Sequence, residues 1–302
     1  MEKEVLDKIL LAGKVASQVK REGAKKLAVP GTSFLEVMDH CEKRILQLKG
    51  EIAWAQFAVN DVAAHDCCAE DDVRVSKEGD LIKVDIGVHV DGYIADNAMT
   101  IHCGSSHEYQ DLITASQRAL KAAIKLVRPG CQLWELGEAQ MSEAEALGFT
   151  TIRNLCGHNL TPYVVHGGIS IPTFNNKDKK ELQEDMQIAI EPFITSGDGL
   201  VKSKGRATVF MMHKERSARS PYARKIVDFI KPRNGLPFTH RDLTRNIGKG
   251  PVALGLRELL QSRILTEYPP LAEVSGSFVA QTEHSMIVKD KPIVYTKDEN
   301  SE

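Results

Sequence analysis

Glu78 and Asp85 recur as Glu184 and Glu191, each pair 106 residues apart, inside two stretches that resemble one another, KEGDLIKVDIGV and LQEDMQIAIEPF. A repeat at a fixed offset in a chain of 302 residues restricts the fold to two similar halves, each placing an acid at the same point. The likeness extends upstream. In the first copy a helical pattern over 4–27 meets Val29-Pro30-Gly31, and a second helix over 33–48 is stopped by Gly50. In the second copy residues 109–127 meet Arg128-Pro129-Gly130, and the helix LWELGEAQMSEAEAL is stopped by Gly148. Phe34, Val37, Met38, Cys41 and Ile45 fall on one helical stripe, which predicts a buried face. The predicted class is therefore α+β, with pseudo-two-fold duplicated halves.

Residues 84–101, VDIGVHVDGYIADNAMTI, alternate apolar and polar positions about His89-Val90-Asp91-Gly92, which reads as a β-hairpin. Asp85 and Asp96 lie on its two arms. Two carboxylates in so apolar a setting resist simultaneous ionisation, and divalent cations remove that penalty. His158, Glu191 and Glu283 sit in comparable short β-type segments. Four carboxylates and two divalent ions balance, and a bridging hydroxide leaves about one negative charge, so two ions suit the set better than one. Oxygen ligands with a single imidazole suit Mn, Co, Fe or Zn, and ligand type does not choose among them. Paired ions roughly 3.5–4 Å apart activate a shared water, so hydrolysis is the natural reaction. His65 and His166 follow the apolar strands VAAH and VVH, each ahead of its half's acidic strand, where a site between the halves would see both. One such acid or histidine is more often a salt-bridged or hydrogen-bonded structural group; the repeated frame is what points to chemistry.

The second copy is interrupted between Glu191 and Glu283 by residues 202–271, predicted to be a subdomain set into a catalytic domain of 1–201 and 272–302. Helices near 221–231, from Thr239, and over 252–264, with a Gly-Leu-Pro-Phe turn at 235–238, make it winged-helix-like. The net charge of −2 hides an imbalance, because residues 201–250 hold thirteen Lys/Arg against three Asp/Glu. That stretch fits either contact with a polyanion or a solvated face. Six cysteines without paired metal-type spacing suit a reducing compartment, and Cys67–Cys68 read as plain thiols rather than soft ligands. The charged start is no secretion signal and no apolar run spans a bilayer, so a cytoplasmic location without membrane contact is expected.

Together AAHD, VDIGVHVDGYIAD, LCGHNLTPYVVHGGISIP, IEPF and VAQTEH resemble the type II methionine aminopeptidases of the pita-bread (creatinase/aminopeptidase) fold, over nearly the whole chain. The long insertion resembles type II rather than type I, and the absence of a charged N-terminal extension resembles the archaeal form. The resemblance implies a dinuclear metallopeptidase, here with Co, Mn, Fe or Zn, that removes the initiator methionine before a small second residue. Asp96 and Glu283 would bridge both ions, Asp85 complete one, and His158 and Glu191 complete the other, with Glu191 also moving a proton. His166 would contact the scissile carbonyl and His65 the following peptide group. Phe193, Val165, Tyr268 and Leu271 match positions lining the methionine pocket. The implied partners are nascent chains and, through the basic insertion, ribosomal RNA, for a monomeric enzyme. Two departures stand out: Ala53-Trp54 replaces the usual Phe-Pro, and Asp185 a usual Gly that it replaces without harm. Other readings are a catalytically dead binding module of this fold, which would have lost ligands, and an Xaa-Pro peptidase such as prolidase, which normally carries an added N-terminal domain.

Overall fold

The computed structural model describes residues 1–212 and 218–297. The first half runs α1 (Lys3–Leu27), α2 (Phe34–Gln47), β1 (Glu51–Val59), β2 (Val62–Ala64), β3 (Leu81–Val90) and β4 (Tyr93–His102). The second runs α3 (Gln110–Leu126), α4 (Leu133–Glu145), β5 (Thr150–Thr151), β6 (Cys156–Leu160), β7 (Ser170–Pro172), β8 (Gln187–Ile190), β9 (Phe193–Thr195) and β10 (Val201–Ser203). An inserted segment follows, with β11 (Val209–Met212), α5 (Pro221–Ile230), β12 (Phe238–Thr239), α6 (His240–Ile247), α7 (Lys249–Gln261) and β13 (Leu265–Tyr268). The chain closes with β14 (Leu271–Glu273), β15 (Val279–Gln281), β16 (His284–Ile287) and β17 (Ile293–Val294).

Each half sets a helix pair against a sheet, as the repeat predicts. Ser33 caps α2 by accepting from the Glu36 N–H, and Gly31 and Gly130 take positive φ in the two Pro-Gly breaks. The stripe Phe34, Val37, Met38, Cys41 and Ile45 is buried as expected. The first half's sheet is β1-β3-β4, and the second half's is β17-β16-β8-β6-β7. β3 is buried along nine of its ten residues, because helices cover one face and the second half covers the other. The β3–β4 hairpin closes on Asp91 and Gly92, both at positive φ, the two-residue turn that matches strand twist.

The halves meet along β4 and the β15–β16 segment. Thr100 Oγ1 donates to the Gln281 carbonyl (2.7 Å) and accepts from its N–H (2.8 Å); Ser285 Oγ does the same for the backbone of Asp96 (2.8 and 3.0 Å). The Glu283 N–H donates to the Ala98 carbonyl. These bonds put Glu283 beside Asp96, 187 residues apart in sequence.

Residues 164–166 differ from expectation. VVH forms no strand: Thr161 and Val164 bridge across a tight turn, with Tyr163 at positive φ, and His166 follows in a bend. The third inserted helix also starts earlier than predicted, at Lys249, since Pro251 is tolerated in a first turn, and it ends at Gln261 ahead of left-handed Arg263. The repeated Glu78 and Glu184 serve different ends, one accepting from the Ser105 N–H and the other pairing with Lys289.

The inserted segment has its own apolar cluster, built on Phe210, Ile226, Phe238, Leu243, Val252 and Leu259, and its own sheet, β12-β11-β13. It leaves from β10 and returns through β14, which are antiparallel neighbours with Ser203 opposite Leu271. Arg241 is fully buried against Glu42, whereas Arg245, Lys249 and Lys204 stay exposed and pair at the surface with Asp39, Asp71 and Asp61. Arg233 donates to the carbonyls of Ile52 and Ala53. Among the described residues, no helix is long and apolar enough to cross a membrane.

Candidate metal centre

Asp85 and Asp96 share a face of the first hairpin because Asp85 pairs with Ala98 and Gly87 with Asp96, and alternation then points both carboxylates the same way. The seam brings in Glu283, and β6 carries His158. Donor atoms of Asp96, His158 and Glu283 all lie within 4.8 Å of one another, and all three residues are buried. Glu191, one residue past β8, has Oε1 3.7 Å from His158 Nε2, which is itself 3.5 Å from Asp96 Oδ2. Gln281 Nε2 donates to the other Glu191 oxygen (3.2 Å). The four acids and the one imidazole read from the sequence therefore come together, with Asp85 held on the adjoining strand.

Burial drives the electrostatics. It raises the carboxyls of Asp96, Glu191 and Glu283 well above their ordinary range, and like charge from neighbouring acids pushes them further. Burial pushes Asp85 up to about 6, against the pull of donors from Trp54 and Gln56. His158 is held down to about 3 by burial and then by His166, so it is neutral and its lone pair is available. Asp96 Oδ1, Glu283 Oε1 and His158 Nδ1 are buried without a hydrogen-bond partner. Orphaned oxygens on two acids, beside the His158 Nε2 that faces Asp96 and Glu191, fit divalent cations, which satisfy such atoms and neutralise the repulsion.

A cavity of about 230 Å³ opens onto the cluster and is walled by His65, Val165, His166, Phe193 and Tyr268. His65 ends β2 at positive φ; its N–H donates to Gln56 Oε1 (3.0 Å) and its ring sits edge-on to Tyr268 at 5.5 Å. Burial and then His166 hold His65 down to about 4. The His166 ring meets His158 edge-on at 4.7 Å. Leu271 corrects the expectation: it stands behind the wall, pairing with Ala64 and packing on the cluster that holds Phe193. Sequence reasoning missed Glu42, Arg233 and Asp242, which also line the cavity. No local pattern marks them, since the inserted segment brings two of them in. Trp54, which stands where the resemblance has Pro, lines the cavity, and its indole N–H donates to Asp85 (2.8 Å).

A cluster of acids and imidazole at the seam of a duplicated α+β fold, open to a half-apolar cavity, is the arrangement of a metal-dependent hydrolase. Residues 7–229 match the family model described as metallopeptidase family M24, and the chain belongs to that family, whose members use divalent metal. A methionine aminopeptidase of Thermococcus onnurineus is 42% identical over 284 residues, covering 93% of this chain and 95% of the relative. Among solved structures, a thermophilic Arx1 superposes with a TM-score of 0.86 at 16% identity, covering 100% of this chain and 93% of that one. The methionine aminopeptidase of Thermotoga maritima superposes with a TM-score of 0.73 at 22% identity, covering 99% and 98%. At such identities the two structures establish the fold, the pita-bread arrangement expected from the sequence.

Proposed function

We propose that this chain is a methionine aminopeptidase that removes the initiator methionine from nascent proteins whose second residue is small. The observation that carries this reading is the convergence of Asp85, Asp96, His158, Glu191 and Glu283 at the end of a cavity walled by two histidines and by Val165, Phe193 and Tyr268. Its relatives' names support the same activity.

Asp85, Asp96, His158, Glu191 and Glu283 would together hold the two divalent ions. Bound there, the ions supply an acidified water and Lewis-acid polarisation of the scissile carbonyl. The chain's own groups do the rest. Glu191 accepts the proton of the attacking water and returns it to the leaving amine. His166 donates to the carbonyl oxygen as charge develops, and His65 fixes the next peptide group. Val165, Phe193 and Tyr268 exclude water around an unbranched thioether.

Hydrolysis of Met-Ala-Ser, Met-Leu-Ser and Xaa-Pro peptides by chelated protein, with Mn, Co, Fe or Zn restored in turn, tests the reading. Cleavage of the first alone is expected; a preference for Xaa-Pro peptides would overturn it. The comparison also identifies the supporting metal. A binding module that has lost catalysis is disfavoured because all five ligands are present.

We further propose a cytoplasmic monomer that touches ribosomal RNA through Lys202, Arg206, Arg219, Arg224, Lys225 and Lys231. These six are exposed, and the exposed Lys204, Arg245 and Lys249 are left out because each already pairs with an acid of the first half. Ribosome pelleting should weaken with salt and with reversal of these six charges, and pelleting indifferent to both would remove the idea.

A further inference from the structure

β1 carries a feature that the proposed chemistry does not use. Trp54 Nε1 donates to Asp85 Oδ1 (2.8 Å) and Gln56 Nε2 donates to Asp85 Oδ2 (2.7 Å), so each carboxylate oxygen has its own neutral donor. Both donors come from one strand face. Gln56 lies opposite Asp85 in the β1–β3 ladder and Trp54 lies opposite Gly87, with a register shift between Ile52 and Trp54 that sets this face towards the cavity. Gly87 makes the indole's path possible: a Cβ there would lie 2.3 Å from the Trp54 ring. The ring therefore lies across a bare stretch of β3 and reaches the carboxylate two residues along. Gln56 is oriented by its other end, because Oε1 accepts the His65 N–H and leaves Nε2 for the acid.

We propose that Trp54 and Gln56 are positioning residues for Asp85, aiming its carboxylate at a single divalent ion, and that Gln56 couples this aim to the placement of His65. The inference rests on the function proposed above. An ionised carboxylate offers about four lone-pair sites, so the donors from Trp54 and Gln56, with the Gln281 side chain that also reaches Asp85, still leave one for a cation. They also favour the charged form of an acid that burial disfavours. Hydrogen-bond partners of this kind hold a ligand's orientation, and their loss typically costs 10–100-fold in metal affinity. Because both act on Asp85 alone, their loss falls on one ion and spares the ion held by His158 and Glu191.

Calorimetric titration of the chelated full-length chain with Mn(II) tests this. Trp54→Phe keeps the ring on Gly87 and removes only the N–H; one of two Mn(II) affinities should fall about tenfold or more while the other holds. Gln56→Leu should produce the same selective loss and also raise KM for Met-Ala-Ser at saturating Mn(II), and a KM unchanged there would remove the coupling to His65. A second measurement needs no change at the site: in Trp134→Phe, Trp54 is the sole tryptophan, and its emission should change as Mn(II) is added. Equal Mn(II) affinities in wild type and Trp54→Phe, or Trp54 emission indifferent to Mn(II), would overturn this inference alone. A wild-type chain that takes up no Mn(II) would overturn the proposed function and this inference with it.

Discussion

Arg241, wholly buried on α6, bonds to Glu42 on α2 across 199 residues of sequence. The contact clamps the inserted segment onto the first half at the cavity wall that Glu42 helps to form. Asp39 adds a second carboxylate 3.9 Å from the same guanidinium.

Arg241→Ala should destabilise the protein by about 3–5 kcal/mol, because it strands a buried acid rather than merely deleting a pair. Replacing both partners, as Arg241→Met with Glu42→Leu, should recover most of the loss. Urea unfolding of the three proteins checks this; a single variant within about 1 kcal/mol of wild type would contradict the clamp.

The acid cluster should make stability and function oppose each other. Asp96→Asn removes one of the mutually repelling carboxylates, so the metal-free variant should be more stable than metal-free wild type, by on the order of 1 kcal/mol. Wild type should gain about 2.7 kcal/mol at Mn(II) a hundredfold above its Kd, and the variant little or nothing. Thermal melts with and without Mn(II) read both effects, and an Mn(II)-dependent gain retained by Asp96→Asn would remove Asp96 from the ligand set.

Lys83 is fully buried on β3, and burial pushes its ammonium from 10.5 down to about 7. Between those values the unfolded chain binds more protons than the folded one, so this residue's contribution to stability rises with pH from about 7 towards 10.5. Lys83→Met leaves the Asn60 carbonyl satisfied by the Val279 N–H. It should therefore stabilise by about 1–3 kcal/mol near pH 7, an advantage that fades towards pH 10. Denaturant titrations in chelator at both pH values decide the matter; a variant weaker than wild type at pH 7 would refute the sign.

Two glycines should respond in opposite directions to alanine. At Gly13 a Cβ would meet the Tyr295 carbonyl oxygen at 2.0 Å, so Gly13→Ala should cost about 1–3 kcal/mol as α1 is pushed off the C-terminal segment. Gly250 lies in α7 with nothing within 4 Å of such a Cβ, and Gly250→Ala should add about 0.5–1 kcal/mol. Paired thermal melts compare them directly.

Where function needs local pattern, the sequence was informative. The hairpin about Asp91-Gly92 and the paired helices follow from alternation and turn chemistry, and the matched Asp85 and Glu191 from an offset of 106, whereas joining His158 and Glu283 to Asp96 drew on the family resemblance. The misses share a physical cause. VVH has the composition of a strand, but a left-handed Tyr163 folds it into a turn, and backbone handedness at a single tyrosine leaves no compositional mark. Leu271 lies behind the cavity wall because its pairing with Ala64, set by a partner far along the chain, decides which side chain faces the cavity. Arg241 reads as surface charge in the sequence and is buried by packing against Glu42, while Arg245 and Lys249 remain on the surface beside Asp39 and Asp71.

Since the outgoing Ser203 and the returning Leu271 are already side by side, the excursion between them is a cul-de-sac in the path of the chain. Ancestral shortening, lengthening or exchange of that detour needs no rethreading of any strand around the catalytic groups. What most resists such traffic is the fully buried Arg241 guanidinium, so a replacement module must either bring its own cation for Glu42 or arrive together with a neutral residue there.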